Sequence, residues 1–133
     1  MPTRGDLEAA RERLVEDVLA PHLRVVLCGI NPGLYTAWTG HHFARPGNRF
    51  WKALHLSGFT PRLFAPSEQH LLPALGLGLT NLVPRASARA DELSPAELVA
   101  GAAALREKLR RHRPAWLAVL GAGAFRAAMA APA

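Results

Sequence analysis

The segment Arg24-Val25-Val26-Leu27-Cys28-Gly29 decides the fold of this 133-residue chain. It is apolar at consecutive positions and rich in β-branched side chains, and the turn-forming sequence Gly-Ile-Asn-Pro-Gly begins at its last residue. A run without polar alternation is typical of a strand that is buried on both faces of a parallel sheet. We therefore predict a buried parallel strand over residues 24–29.

Two more apolar segments are predicted to be buried strands of the same sheet. Leu-Gly-Leu-Thr, followed by Asn81, is the second, and Ala-Trp-Leu-Ala-Val-Leu-Gly at 115–121 is the third. Between them, the sequence Ser-Pro-Ala-Glu at 94–97 predicts a helix start, because Ser at the N-cap and Glu three residues later each satisfy a free backbone N–H. The apolar stripe of this helix is Leu98, Leu105 and Leu109.

Four other helices are predicted from the spacing of apolar side chains. They run over residues 5–20, from Asn48 to a stop at Gly58, from near Ser67, and from Gly123 to Ala130. The first has the apolar face Leu7, Ala10, Leu14 and Val18. Residues 31–47, with three Gly and two Pro, are predicted to be a loop, and residues 83–93 an irregular loop.

Alternating strands and helices predict an α/β protein with a three-layer α-β-α architecture and a mainly parallel central sheet. No repeat or linker divides residues 1–133, so we expect a single domain. The sequence stops soon after its third strand, whereas such sheets commonly have more strands. We therefore expect that a C-terminal segment is missing.

The charge favours nucleic acid as a partner. Sixteen Lys and Arg oppose ten Asp and Glu, which gives a net charge of +6 and a pI of about 11.0. Fourteen of the cations are Arg, whose planar guanidinium matches phosphate oxygens. The alternative is that the arginines reflect coding bias and serve only solubility.

Composition excludes several classes of protein. The chain is 50% hydrophobic and 20% charged, unlike disordered or low-complexity chains. No apolar run approaches the roughly 18 residues of a membrane span, and residues 1–20 hold five acids without the apolar block of a signal peptide. The single cysteine, Cys28, excludes a disulfide framework and fits a reducing compartment. We expect a cytoplasmic monomer.

Two loops are expected to meet beyond the carboxyl ends of the strands, where open parallel sheets bind ligands. They cover residues 29–49 and 81–93. The first brings together an amide, glycines, an aromatic ring and arginines, although Asn-Pro-Gly by itself is also an ordinary turn sequence. The second carries Arg85, Arg89 and Asp91.

Three motifs in and around these loops resemble those of the mismatch-specific uracil-DNA glycosylases, close relatives of thymine DNA glycosylase. They are Gly-Ile-Asn-Pro-Gly at 29–33, Phe-Ala-x-Pro-x-Asn-Arg-Phe-Trp at 43–51 and Gly-Leu-Thr-Asn-Leu-Val-Pro-Arg at 78–85. The resemblance runs in register from about Arg24 to Phe125. It implies a uracil-DNA glycosylase-like fold and a base excision repair enzyme that needs no metal or organic cofactor. The family's later Asn-Pro-Ser-Gly-type motif, which enters the minor groove, does not occur in this sequence.

The resemblance also implies roles for individual residues. Asn31 matches the asparagine that holds the attacking water, and Phe43 matches the aromatic that stacks on the extruded base. The backbone near Ile30 and Phe43 would bind the pyrimidine edge, and Asn81 would lie near the pocket. Independently of the resemblance, Gly29 and Gly33 are expected to allow close approach of the backbone, and four arginines are candidate phosphate contacts: Arg45, Arg49, Arg85 and Arg89.

Glycosylase chemistry explains why these residue types matter. The base must leave the stack before its bond to the sugar can be reached, and backbone N–H groups can stabilise the negative charge on the departing pyrimidine. An asparagine orients water but does not take its proton as a carboxylate would. Asp91, on the second loop, is therefore a further candidate catalytic residue. The alternative is a solvated acid, or one paired with Arg89.

Three other patterns are assigned no role in catalysis. His41 and His42 are adjacent and point apart, so we expect no metal site. The sequence Gly-Ala-Gly-Ala-Phe-Arg at 121–126 lacks the third glycine of a dinucleotide-binding fingerprint. Trp116 is expected to pack in the core or at its rim.

The sequence thus predicts a monofunctional DNA glycosylase that hydrolyses the N-glycosidic bond of uracil, thymine or another altered pyrimidine. Its expected partner is double-stranded DNA that contains G·U or G·T mismatches. Lyase activity is not expected, because no lysine lies in the motif loops. The alternative is a non-catalytic α/β module that binds nucleic acid or a nucleotide.

Overall fold

The structure, a computed structural model, describes residues 1–11, 13–121, 123, 125 and 126. In this part of the chain the sheet has three parallel strands, β1 (Val25–Gly29), β2 (Leu77–Asn81) and β3 (Trp116–Val119), in the order β2-β1-β3. The helices are α1 (Arg4–Ala9), α2 (Leu34–Thr39), α3 (Phe50–Leu56) and α4 (Pro95–His112), with 3₁₀ turns at Pro66–Leu71, Pro73–Leu75 and Ala90–Glu92.

The central strand β1 sends alternate side chains into two cores. Leu27 packs on one face in a cluster with Trp51 of α3. Cys28 packs on the other face in a cluster with Leu105 of α4. Successive residues of a strand point to opposite faces, so the sheet is covered by helical structure on both sides. The predicted α/β class with a parallel sheet between helical layers is confirmed.

Helix α4 begins as its sequence predicts. The Oγ atom of Ser94 accepts a hydrogen bond from the Glu97 N–H at 3.1 Å, and Oε1 of Glu97 accepts one from the Ser94 N–H at 3.0 Å. Leu105 is 1% exposed, and Leu98 and Leu109 pack against the same core cluster. The predicted apolar stripe therefore faces the sheet.

The predicted helix over residues 5–20 is wrong beyond its first turns, because α1 ends at Ala9. Val18 instead forms an antiparallel bridge with Leu79, with both N–H···O distances at 2.8 Å. Leu14 forms another with Arg85 and is 73% exposed. Since β2 is an edge strand with open backbone groups, pairing with it satisfies hydrogen bonds that a helix would leave unmade.

Three further differences concern local structure. The stretch 31–47, predicted to be a loop, contains the short helix α2. The third strand was predicted to be buried, but Trp116 is 74% exposed, because β3 lies at the second edge of the described sheet. The expected core or rim packing of Trp116 is therefore wrong. The helix predicted from Gly123 to Ala130 lies largely outside the described residues.

The remaining helix predictions agree with the structure. The segment after Asn48 forms α3, whose Trp51 and Leu54 are buried, and Gly58 follows it with φ at +87°. The helix expected near Ser67 is a 3₁₀ turn. Within the described residues, no helix combines the length and the apolar character that a membrane crossing requires.

Candidate active site

The carboxyl ends of β1 and β2 lie side by side at one end of the sheet. Gly29 and Asn81 are register partners. The pairing continues past the strands, since the N–H groups of Leu82 and Val83 donate to the carbonyls of Gly29 and Ile30, each at 2.8 Å. The two loops that follow these strands therefore run along each other, as their position in a parallel sheet predicts.

Gly29 allows two of the predicted site residues to approach the backbone. A Cβ atom at this position would lie 2.8 Å from Oδ1 of Asn81 and 3.5 Å from Cζ of Phe43. The first distance is shorter than van der Waals contact, so any side chain here would displace the amide of Asn81. The structure thus brings Gly29, Phe43 and Asn81 together at the end of the sheet.

The amide of Asn31 is fixed by the second loop. Its Nδ2 donates to the backbone carbonyl of Arg85 at 3.0 Å and to Oγ of Ser87 at 2.8 Å. A carbonyl oxygen only accepts hydrogen bonds, so this contact determines which side of the amide is nitrogen. No donor among the described residues binds Oδ1, and Asn31 lines a cavity. Its oxygen can therefore accept a hydrogen bond from water.

Ser87 is a site residue that the sequence did not reveal. Its side chain is 2% exposed, and its Oγ donates to the carbonyl of Arg89 at 2.8 Å, which leaves a lone pair for Asn31. The Ser87 N–H donates to the carbonyl of Pro32 at 3.1 Å. A serine in a loop carries no signal of this role in its sequence, since the contact depends on how the two loops pair.

A cavity of about 530 Å³ opens beside Asn31. Asn81 lines it and is 8% exposed, yet its side-chain amide makes no hydrogen bond within the described part of the chain. Phe43 also lines the cavity, and its ring stacks on Phe50 with centroids 4.0 Å apart and planes 20° apart. The cavity wall therefore combines a supported aromatic ring with an amide that is free to bind a polar ligand.

A second cavity, of about 390 Å³, shares Asn31, Gly33 and Phe43 with the first and is also lined by Ile30. A Cβ atom at Gly33 would meet no other atom within 4 Å. The space next to this backbone is therefore open to a ligand, as the predicted role of Gly33 requires.

His42 anchors the segment that carries Phe43, and its role was not predicted. It is 1% exposed, and its Nε2 lies 2.7 Å from the carbonyl of Glu16, so this nitrogen holds the proton. Burial lowers the pKa of His42, which keeps the ring neutral. Its backbone N–H donates to Gln69 and its carbonyl accepts from Trp51. These contacts hold the neighbouring Phe43 in a left-handed conformation, with φ at +53°.

The predicted phosphate contacts differ in their surroundings. Arg45 and Arg49 are exposed, and neither forms an ion pair with any described residue. Arg45 also lines the larger cavity. The guanidinium of Arg45 is therefore accessible to a ligand that reaches the mouth of the cavity, and that of Arg49 is accessible from solvent.

Arg85, by contrast, is engaged within the fold. Its guanidinium donates twice to the carboxylate of Glu97, at 2.7 and 2.9 Å, and once to the carbonyl of Glu92 at 3.1 Å. The hydrogen bonds from Arg85 lead the causes that lower the pKa of Glu97 to about 2. The geometry gives Arg85 a structural role, and its predicted phosphate contact stays a prediction.

Arg89 and Asp91 form an exposed ion pair, with Nε and Oδ1 3.1 Å apart and side chains 75% and 69% exposed. Pairing of Asp91 with Arg89 is one of the two alternatives to a catalytic role that the sequence leaves open. Arg89 lines the second cavity, whereas Asp91 lines neither. The catalytic role of Asp91 stays a prediction.

Other reactive groups lie away from Asn31. Lys108 binds Asp17 at 2.6 Å, and Lys52 lines a separate groove that does not contain Asn31. Burial raises the pKa of Cys28 to about 12, so its thiol is not a nucleophile. Across the described residues, no three or more His, Cys, Asp or Glu side chains form a group that could hold a metal ion.

Comparison with known protein families agrees with this geometry. The model of the Uracil DNA glycosylase superfamily matches residues 16–131. The matched range contains both loops of the site, with Asn31, Phe43, Asn81 and Ser87. The chain therefore belongs to the uracil DNA glycosylase superfamily, whose members are DNA repair hydrolases that act on DNA.

Proposed function

We propose that the protein is a monofunctional DNA glycosylase that removes uracil from G·U mispairs in double-stranded DNA. Thymine in G·T mispairs and other altered pyrimidines are proposed as further substrates. The enzyme acts in the cytoplasm as a monomer, without a metal or organic cofactor. The observation that carries the proposal is the amide of Asn31, fixed by Arg85 and Ser87 so that its oxygen remains available beside the cavity.

In this proposal Asn31 holds the attacking water through Oδ1. The bond between C1′ and the base breaks, the bonding electrons leave with the pyrimidine, and the water oxygen bonds to C1′. Positive charge develops on the sugar and negative charge on the base. The backbone N–H groups near Ile30 and Phe43 would stabilise the departing anion, since Gly29 and Gly33 let it approach the chain closely.

Phe43 and Asn81 are proposed to bind the extruded base. An aromatic face stacks on any nucleobase, and Phe50 supports the ring of Phe43 from one side. The Asn81 amide offers both a donor and an acceptor. It therefore complements the edge of uracil, which presents carbonyl oxygens and an N–H.

Asp91 is proposed to take the proton of the water. Its ion pair with Arg89 is exposed, and exposed pairs contribute only about 0–1 kcal/mol. A phosphate that draws Arg89 away would therefore release the carboxylate at little cost. Ala90, the residue before Asp91 in the chain, lines the second cavity together with Asn31.

The net charge of +6 supports DNA binding around the site. The exposed guanidinium groups of Arg45 and Arg49, and that of Arg89 once its pair opens, are proposed to bind phosphates. Hydrolysis is favoured over a lyase reaction because neither Lys52 nor Lys108 lies at the cavity of Asn31.

The experiment that tests the proposal uses a labelled duplex with one G·U pair and excess protein. A glycosylase leaves an abasic site, which alkali converts to a strand break, and the same duplex with G·C is the control. A protein that binds the duplex but releases no uracil would instead be the non-catalytic binding module.

A further inference from the structure

The N-terminal segment Thr3–Arg11 reaches the site although the residues matched to the superfamily begin only at residue 16. Leu7, on α1, lines the 530 Å³ cavity together with Asn31. Ala10 is 0% exposed and belongs to a small core cluster with Ala37 of α2 and Ala86 of the second loop. The segment is therefore packed into the wall of the cavity.

Arg11 connects this segment to the second loop. One of its terminal nitrogens donates to Oε1 of Glu92 at 2.5 Å, and its other nitrogens bind Glu8 within the N-terminal segment. The carboxylate of Glu92 also accepts the backbone N–H of Arg89 at 2.7 Å. A single carboxylate thus ties the N-terminal segment to the backbone of the loop.

The same loop supplies both acceptors for the amide of Asn31. The carbonyl of Glu92 accepts a hydrogen bond from the guanidinium of Arg85 at 3.1 Å. The carbonyl of Arg85 in turn accepts one from Asn31 at 3.0 Å, and Ser87 provides the second acceptor. The position of the loop therefore sets the orientation of the amide.

We propose that Arg11 is a positioning residue for the hydrolytic reaction: it holds Glu92, and through it the loop that orients Asn31. This inference rests on the proposed function. The two side chains are 32% and 27% exposed, so the pair is partly buried and its loss also lowers stability to some extent. Small displacements of a reacting group, in contrast, lower rates strongly. Loss of Arg11 therefore affects the rate more than the fold.

The test measures single-turnover release of uracil from a G·U duplex. Arg11→Ala is expected to lower the rate about tenfold, with the Kd for the duplex nearly unchanged and the melting temperature lowered by only about a few degrees. Glu92→Gln keeps an oxygen that can accept the Arg89 N–H but removes the charge that holds Arg11, and it is expected to lower the rate as well. Arg11→Ala combined with Glu92→Gln is expected to be no slower than Arg11→Ala alone, because both changes break the same contact. Arg110→Ala, which breaks an exposed pair with Glu107 on α4, is the control for loss of a surface ion pair.

The outcomes separate the two proposals. A wild-type protein that releases no uracil contradicts the proposed function and the positioning role with it. If the wild-type protein is active and Arg11→Ala is equally fast, only the positioning role is overturned. The same holds if the rate losses of Arg11→Ala and Glu92→Gln multiply in the double variant, because the two residues then act independently. Should Arg11→Ala fail to fold, Arg11→Lys keeps the charge but not the guanidinium fork, and it is expected to show an intermediate rate. In that case a wild-type rate for Glu92→Gln overturns the role.

Discussion

The side-chain nitrogen of Asn31 lies 2.8 Å from Oγ of Ser87, a residue 56 positions further along the chain. Ser87 donates its own proton to the carbonyl of Arg89, so its oxygen faces Asn31 as an acceptor. The group proposed to hold the attacking water thus takes its orientation from the loop after the neighbouring strand.

Replacing Ser87 with alanine is expected to slow base release without abolishing it. The variant removes one of two acceptors, and a neutral hydrogen bond contributes about 0.5–1.5 kcal/mol. We expect the single-turnover rate to fall roughly three- to tenfold, as RT converts that energy. Ser57→Ala, at an exposed position after α3, is the matched control. Equal rates for Ser87→Ala and the wild-type protein would remove Ser87 from the site.

Phe43→Ala is expected to weaken binding of the extruded base while the fold survives. Stacking of a base on an aromatic ring contributes about 1–3 kcal/mol, so the rate should fall roughly 5- to 150-fold. Phe59→Ala removes a ring that is 45% exposed and lines neither cavity at Asn31, which makes it the control. If Phe43→Ala cleaves as fast as the wild-type protein, the ring of Phe43 does not stack on the base and only packs against Phe50.

Arg45→Ala is expected to weaken binding of matched and mismatched duplexes equally. A plot of log K against log salt concentration has a negative slope, and each lost phosphate contact makes it less steep by about 0.9 for duplex DNA. Arg85→Ala, which breaks the pair with Glu97, is expected to lower the melting temperature, and its slope tests the predicted phosphate contact of Arg85. If Arg45→Ala leaves the slope unaltered, Arg45 contacts no phosphate. If Arg85→Ala makes the slope less steep, Arg85 does contact a phosphate.

Asp91→Ala is expected to lower the single-turnover rate about 10²-fold or more, since general-base catalysis contributes roughly 10²–10⁴-fold. Asp91→Asn keeps the size of the side chain but cannot take a proton, so it should be as slow. Glu107→Ala, which breaks a similarly exposed ion pair on α4, serves as the control. If both Asp91 variants release uracil at the wild-type rate, Asp91 has no catalytic role and only forms the ion pair with Arg89.

Features that depend on neighbours in the chain were predictable from the sequence. The strands around Leu27 and Leu79 consist mostly of apolar residues, and the start of α4 is determined by side chains within four residues of Ser94. The site could be located because parallel strands place their following loops together. The geometry confirms that Gly29, Phe43 and Asn81 meet there.

Features that depend on distant partners were not predictable. Leu14 and Val18 have helical spacing, yet Val18 pairs with the edge of β2 because the sheet offers backbone partners. Nothing near Ser87 or Arg11 in the sequence indicates that they act on Asn31 through the loop. The pairing of Arg85 with Glu97 likewise depends on the fold, which brings the second loop against the start of α4.

The most direct test of the account is the rate of uracil release from a G·U duplex by the wild-type protein and by Asn31→Ala, measured in single turnover with excess protein. The account predicts that the wild-type protein leaves an abasic site. It also predicts that Asn31→Ala is about 10²-fold slower or worse, because the water is no longer held, while the Kd for the duplex stays within about twofold. Equal rates for the two proteins, or no release by the wild-type protein, would contradict the central claim.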